Sequence, residues 1–275
     1  MITARASEKS AVIRNSDGPG RTRTAPDGRG RPRTDADRAT TRDGCEGGRG
    51  PEPYPGGMEL ADALAELAAL EDPKVRAANE KRGDDHGMNL SRLRAVAKKA
   101  KTDQPLAREL WETGETPARL LALLVCAPRQ YSAEDLDGML REPQPPKVND
   151  WFVNYVLKKT PLSDDLREGW RHDPADTVSA AGWSLTSVRV VKQPDGLDLG
   201  ALLDEIERDM RDAAPRTQWA MNETLAQIGI HHPHLRDRAL AIGNDLQVLA
   251  DYPTAPGCTS PFAPIWIAEM VRRQG

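Results

Sequence analysis

Trp151, Asn154, Tyr155 and Lys158 recur at the i, i+3, i+4, i+7 spacing that gathers side chains on one quadrant of a helix. Two aromatic rings, an amide and an ammonium on one strip could hold a nucleic acid, with the rings against sugars and Lys158 on a phosphate. The same spacing fits ordinary core for Trp151 and a solvated face for Lys158. Asp150 immediately precedes Trp151. Its carboxylate could act on a bound sugar, or it could cap the helix by accepting from the first free amides. Upstream, Arg92, Arg94, Lys98, Lys99 and Lys101 form a run with no acid among them. Such a run suits phosphate contacts, each of which releases counterions, and it equally suits a solvated helix face. Trp183, close to Ser184 and Ser187, is a further candidate contact that also fits a core position. Asn222 shares a helix with Gln218 and Gln227, and three amides would be costly to bury, so they should line a groove or solvent.

Other chemistry finds little support. His231-His232-Pro233-His234 has no CxxC or HExxH companion and reads as a loop between helices, so no metal is expected. There is no glycine-rich phosphate cradle or nucleophile elbow, and no cofactor is expected. Cys45, Cys126 and Cys258 are widely spaced, as in a reducing compartment, which points to the cytoplasm. Cys258, between Pro256 and Pro261, should be semi-buried. The longest apolar run, Leu120–Ala127, is eight residues, far short of a membrane span.

These residues need elements to position them. The 275 residues carry a net charge of -4, which gives no strong nucleic-acid footprint for the chain as a whole, but the average hides a boundary. Residues 1–57 hold ten Gly and six Pro, 11 Lys or Arg and 8 Asp or Glu. A segment so poor in aliphatic side chains cannot offset its ordering entropy, so it reads as a disordered extension. It could be a basic arm, or sequence translated upstream of a start at Met58. Residues 58–275 carry 27 basic and 34 acidic side chains, with the positive charge in the middle. Their periodicity is helical almost throughout. Leu60, Leu64, Leu67 and Ala68 make one apolar stripe; Leu90, Leu93, Val96, Ala97 and Ala100 make another behind an Asn89 cap. Gln104-Pro105 opens a helix that Gly114 ends. Further helices are predicted over 118–126, 132–140, 148–159, 163–171, 176–191, 199–213, 217–230, 233–247 and 264–273. About a dozen short helices joined by Gly/Pro turns predict an all-α stack of helical repeats rather than one bundle.

Asn89-Leu-Ser-Arg-Leu-Arg-Ala-Val-Ala-Lys98, Leu110-Trp-Glu-Thr-Gly114 and Ala118-Arg-Leu-Leu-Ala-Leu-Leu124 resemble the AlkD-like DNA alkylation repair family. So do Trp151 at the head of its helix, Ala181-Gly-Trp183 and Gly257-Cys-Thr-Ser-Pro-Phe-Ala-Pro-Ile-Trp-Ile267. The resemblance spans about Met58 to Gln274. It implies a HEAT-like α-α superhelix whose concave face grips double-stranded DNA, acting as a monomer without a membrane. It also implies excision of N3- and N7-alkylated purines by hydrolysis of the glycosidic bond. The alkylated base is already a good leaving group, so a carboxylate between aromatics need only stabilise the oxocarbenium-like sugar and position a water. The family places an aromatic four residues before that Asp; here the position four after Trp151 is Tyr155, and the neighbouring carboxylate is Asp150. A catalytically silent member that serves as a DNA- or protein-binding scaffold is the alternative.

Overall fold

The computed structural model describes residues 57–274, so the expected disordered extension lies outside the described residues except for Gly57. Among the described residues there are thirteen α-helices and no strand beyond one isolated bridge, Glu71 to Met88. The helices are α1 Leu60–Ala69, α2 Pro73–Glu80, α3 Leu90–Ala100, α4 Gln104–Glu112, α5 Thr116–Val125, α6 Ala133–Arg141 and α7 Pro146–Phe152. They continue as α8 Ser163–Trp170, α9 Asp176–Lys192, α10 Leu199–Asp209, α11 Pro215–His231, α12 Arg236–Leu246 and α13 Ala263–Gln274. None is long and apolar enough to cross a membrane.

The expected punctuation does its work. The Asn89 side chain accepts from Ser91 N at 3.0 Å and Arg92 N at 3.2 Å, starting α3. Asp103 does the same for α4, accepting from Leu106 N at 3.0 Å. Gly114, with φ of +74°, closes α4. The sequence pattern missed α2, which buries no residue and so shows no apolar stripe. Its signal was the start, where Asp72 accepts from Lys74 N at 2.8 Å ahead of Pro73.

Neighbouring helices stack in series: α4 on α5, α8 on α9, α9 on α11, and α11 on α12 and α13. The core forms two clusters that meet at α9. Val178, Ala181 and Leu185 join the cluster built from α1 and α3 to α8, while Ala180, Trp183 and Val190 join the one built from α10 to α13. Buried on both flanks, α9 must satisfy its own polar groups internally. Thr186 Oγ1 donates to Gly182 O at 2.9 Å and Ser179 Oγ to Arg171 O at 2.9 Å.

The expected helix over 148–159 runs without a break from Pro146 to Leu157 but changes type on the way. Pro146 at the first turn starts α7 two residues earlier, and Val153–Leu157 forms a π-helical turn in which Lys158 N reaches back five residues to Val153 O at 3.0 Å. Asp150 therefore lies inside α7, and the capping alternative for it is removed.

Candidate functional site

At 100° per residue, the basic run on α3 cannot share one face. Arg94, Lys98 and Lys101 project together and line a hollow of about 350 Å³ with Ala97, Thr102 and Leu124. Arg92 and Lys99, seven residues apart, share the other flank, where Lys99 pairs with Glu66 at 2.8 Å. The structure thus splits five expected phosphate contacts into two rows. Only the first row faces the aromatic strip.

That strip is reached by Arg94. Its guanidinium lies 4.9 Å from the Trp151 ring centroid, and Nη2 donates to the Tyr155 hydroxyl at 3.2 Å. Trp151 and Tyr155 meet edge to face at 5.2 Å. Lys159 adds a second cation, with Nζ 5.0 Å from the Tyr155 centroid. Trp151 is only 4% exposed, so it backs the site while the half-buried Tyr155 presents the aromatic surface. Asn154 is occupied within its own helix: its Nδ2 donates to Asp150 O at 2.8 Å, and its Oδ1 accepts from Lys158 Nζ at 3.0 Å. It orients Lys158 rather than offering a free amide.

Asp150 is half-buried, and its side chain takes part in no hydrogen bond or ion pair among the described residues. Burial raises its pKa above the ordinary carboxylate value, while Lys147, Arg216 and Lys158 pull it back down and Asp84 adds to the rise. A carboxylate thus stands free among three cations drawn from two helices. Lys147 and Arg216 were absent from the sequence expectations, as was Lys159. No spacing rule links Arg216 to Asp150, because they lie on separate helices, α11 and α7, and feel each other only in the folded chain. One turn beyond Arg216, half-buried Trp219 stands edge to face with Tyr252 at 5.1 Å, a second aromatic pair.

Two expected contacts sit inside the protein. Trp183 is 2% exposed and carries the Arg171 guanidinium 5.5 Å from its ring, so it is core. Asn222 is 2% exposed, and its Nδ2 donates to Pro261 O at 2.8 Å, which ties the segment before α13 to α11. The amide was affordable in the core because it found that carbonyl. Cys258 is exposed rather than semi-buried.

Ion pairs neutralise many of the arginines, while Lys81, Arg82, Arg129 and Lys192, away from the site, hold no ion pair among the described residues; the site is set apart by how its cations are grouped. Arg108, Arg119, Arg141 and Arg238 each hold a carboxylate. Arg94, Lys98, Lys101, Lys158 and Lys159 form no ion pair among the described residues. Cations left unneutralised and grouped around an aromatic surface are poised for an anionic polymer.

The profile of the family described as DNA alkylation repair enzyme matches residues 63–267. The chain belongs to that family. The matched range takes in α3, α7 and the π-helical turn, and therefore the whole cationic face. The fold is also similar to a solved structure described as a new family of proteins related to the HEAT-like repeat DNA glycosylases with affinity for branched DNA structures. The two share 21% identity with a TM-score of 0.65, covering 79% of this chain and 95% of that one. At that identity the likeness speaks for the fold, and the serial helix stack is HEAT-like. No curated protein matches the chain.

Proposed function

We propose that this DNA alkylation repair family protein binds double-stranded DNA, plain or branched, on the face formed by α3, the π-helical turn and the start of α11. The carrying observation is the group of unpaired cations, Arg94, Lys98, Lys101, Lys158 and Lys159, around Tyr155 and Trp151. Phosphates lie along the cations and deoxyriboses against Tyr155. The body is acidic overall, so long-range attraction is weak and the local face supplies the affinity, with a marked dependence on salt. The affinity for branched DNA ascribed to the structural relative makes a junction the natural second ligand to test.

A second reading, base excision, rests on Asp150. With no internal donor or ion-pair partner, both of its oxygens are open to a developing sugar cation or to an attacking water. The cations that flank it favour its ionised form at neutral pH and would hold the phosphates on either side of a lesion. An alkylated purine leaves with its positive charge neutralised, so no general acid is needed at the base. The glycosidic bond breaks, its electron pair goes to the base, and water adds to the anomeric carbon as its proton passes to Asp150.

Fluorescence anisotropy of the full chain against a plain duplex and a three-way junction tests the first reading; no saturable binding to either would remove it. Incubation with N7-methylguanine and N3-methyladenine duplexes, scored for released base, tests the second. Release abolished by Asp150→Asn supports excision. Binding without release over hours leaves DNA binding alone.

A further inference from the structure

Lys101 occupies a backbone conformation that side chains avoid. It follows α3 with φ 60° and ψ -160°, a region essentially reserved for glycine. Among the described residues four positive-φ positions use glycine, at 83, 114, 196 and 257, and two besides Lys101 do not, Gln247 and Leu249. Gln247, at φ 53° and ψ 22°, sits in the compact left-handed basin that other residues visit at lower cost. Cations near a helix C-terminus complement its dipole, which accounts for Lys98 and Lys99 but not for a strained Lys101 where glycine would close the turn. The strain sits at the rim of the hollow shared with Arg94, Lys98, Thr102, Ala97 and Leu124.

That lining is divided by chemistry. Three cations and the Thr102 hydroxyl offer donors for a phosphate, and no acid intrudes. Ala97 and Leu124 offer an apolar floor for a sugar. Arg94 spends one N–H on Leu90 O at 3.4 Å and one on Tyr155, leaving three of its five donors for a ligand. Resting on the DNA-binding reading above, we propose that this hollow is a discrete nucleotide subsite. It grips one backbone phosphate between Arg94, Lys98 and Lys101, with the attached deoxyribose on Ala97 and Leu124, and Lys101 is held strained to complete the grip. Because Arg94 also touches Tyr155 and Trp151, a strand seated here is set in register with the aromatic surface.

The test measures affinity for a short fluorescein-labelled duplex, its salt dependence and the thermal midpoint of the full chain carrying Lys101→Gly, Lys101→Ala or Lys158→Ala. Lys101→Gly should raise the midpoint by releasing strain, yet weaken binding about three- to tenfold and lower the log–log salt slope by about one. Lys101→Ala should lose the same affinity without the gain in midpoint. If Lys158→Ala weakens binding while both Lys101 variants keep wild-type affinity and slope, the subsite is wrong and the DNA-binding face stands. If none of the three alters affinity, the face is wrong and the subsite falls with it. Lost affinity without a higher midpoint in Lys101→Gly would overturn the role of strain.

Discussion

Arg94 and Tyr155, sixty-one residues apart in the chain, meet through a 3.2 Å hydrogen bond that joins α3 to the π-helical turn. The same guanidinium covers Trp151, so one side chain fixes the position of both aromatic rings. Arg94→Ala should weaken duplex binding, and Arg94→Lys should rescue little, because an ammonium cannot stack and donate in a fork. Tyr155→Phe should retain most of the affinity, whereas Tyr155→Ala, which removes the ring that meets the deoxyriboses, should weaken binding clearly more. Anisotropy titrations of the four variants check this order.

Asp150 should cost the fold stability at neutral pH. Its folded pKa is raised by burial, so the native state binds the proton more tightly than the unfolded chain. Stability tied to this group is therefore present at low pH and is lost as pH climbs from the ordinary carboxylate value through the raised one. Asp150→Asn should melt higher than wild type at neutral pH, with the gain shrinking toward about pH 4. Melting curves across pH decide it; a lower midpoint at neutral pH would mean that the carboxylate is a structural anchor.

How much of this was legible from the sequence depended on distance. Asn89, Asp103 and Gly114 act within a turn of themselves, and their helix ends came out as the pattern implied. Tyr155 with Arg94, and Asp150 with Arg216, come together only through packing of separate helices, and periodicity is silent on such pairs. Asn222 misled for a related reason, and Trp183 took the core alternative of its two readings. On α9 and α11 the helices are covered on more than one side, so polar neighbours did not mark an exposed face. The π-helical turn left no sequence signal at all.

Gly182 shows why Ala181-Gly-Trp183 has its small central residue. A Cβ there would stand 2.5 Å from Arg171 N and 2.8 Å from Trp170 C, atoms of the α8 backbone that cannot step aside. Alanine is usually the better residue inside a helix, by about 1 kcal/mol. Here overpacking should reverse the sign: Gly182→Ala is expected to cost about 1–3 kcal/mol. At roughly 2–4 °C per kcal/mol for a chain of this size, the midpoint should fall by several degrees.

The cysteines should differ in reactivity. Cys126 is buried, and its thiol pKa is pushed up to about 11 by that burial, beside a Tyr131 pushed up to about 12. Cys258 is exposed. In a Cys45→Ser background, a thiol reagent at mildly alkaline pH should label Cys258 alone until denaturant is added, because only the thiolate attacks. Prompt labelling of both would show that the α5 end opens readily.

The salt dependence of duplex affinity for wild type against Lys98→Ala combined with Lys158→Ala is the most direct test of DNA binding by the cationic face. Each lysine that holds a phosphate contributes about one to the slope of log affinity against log salt. The double variant should bind more weakly and show a slope shallower by about two. An unchanged slope at unchanged affinity would place DNA elsewhere on the protein, or nowhere.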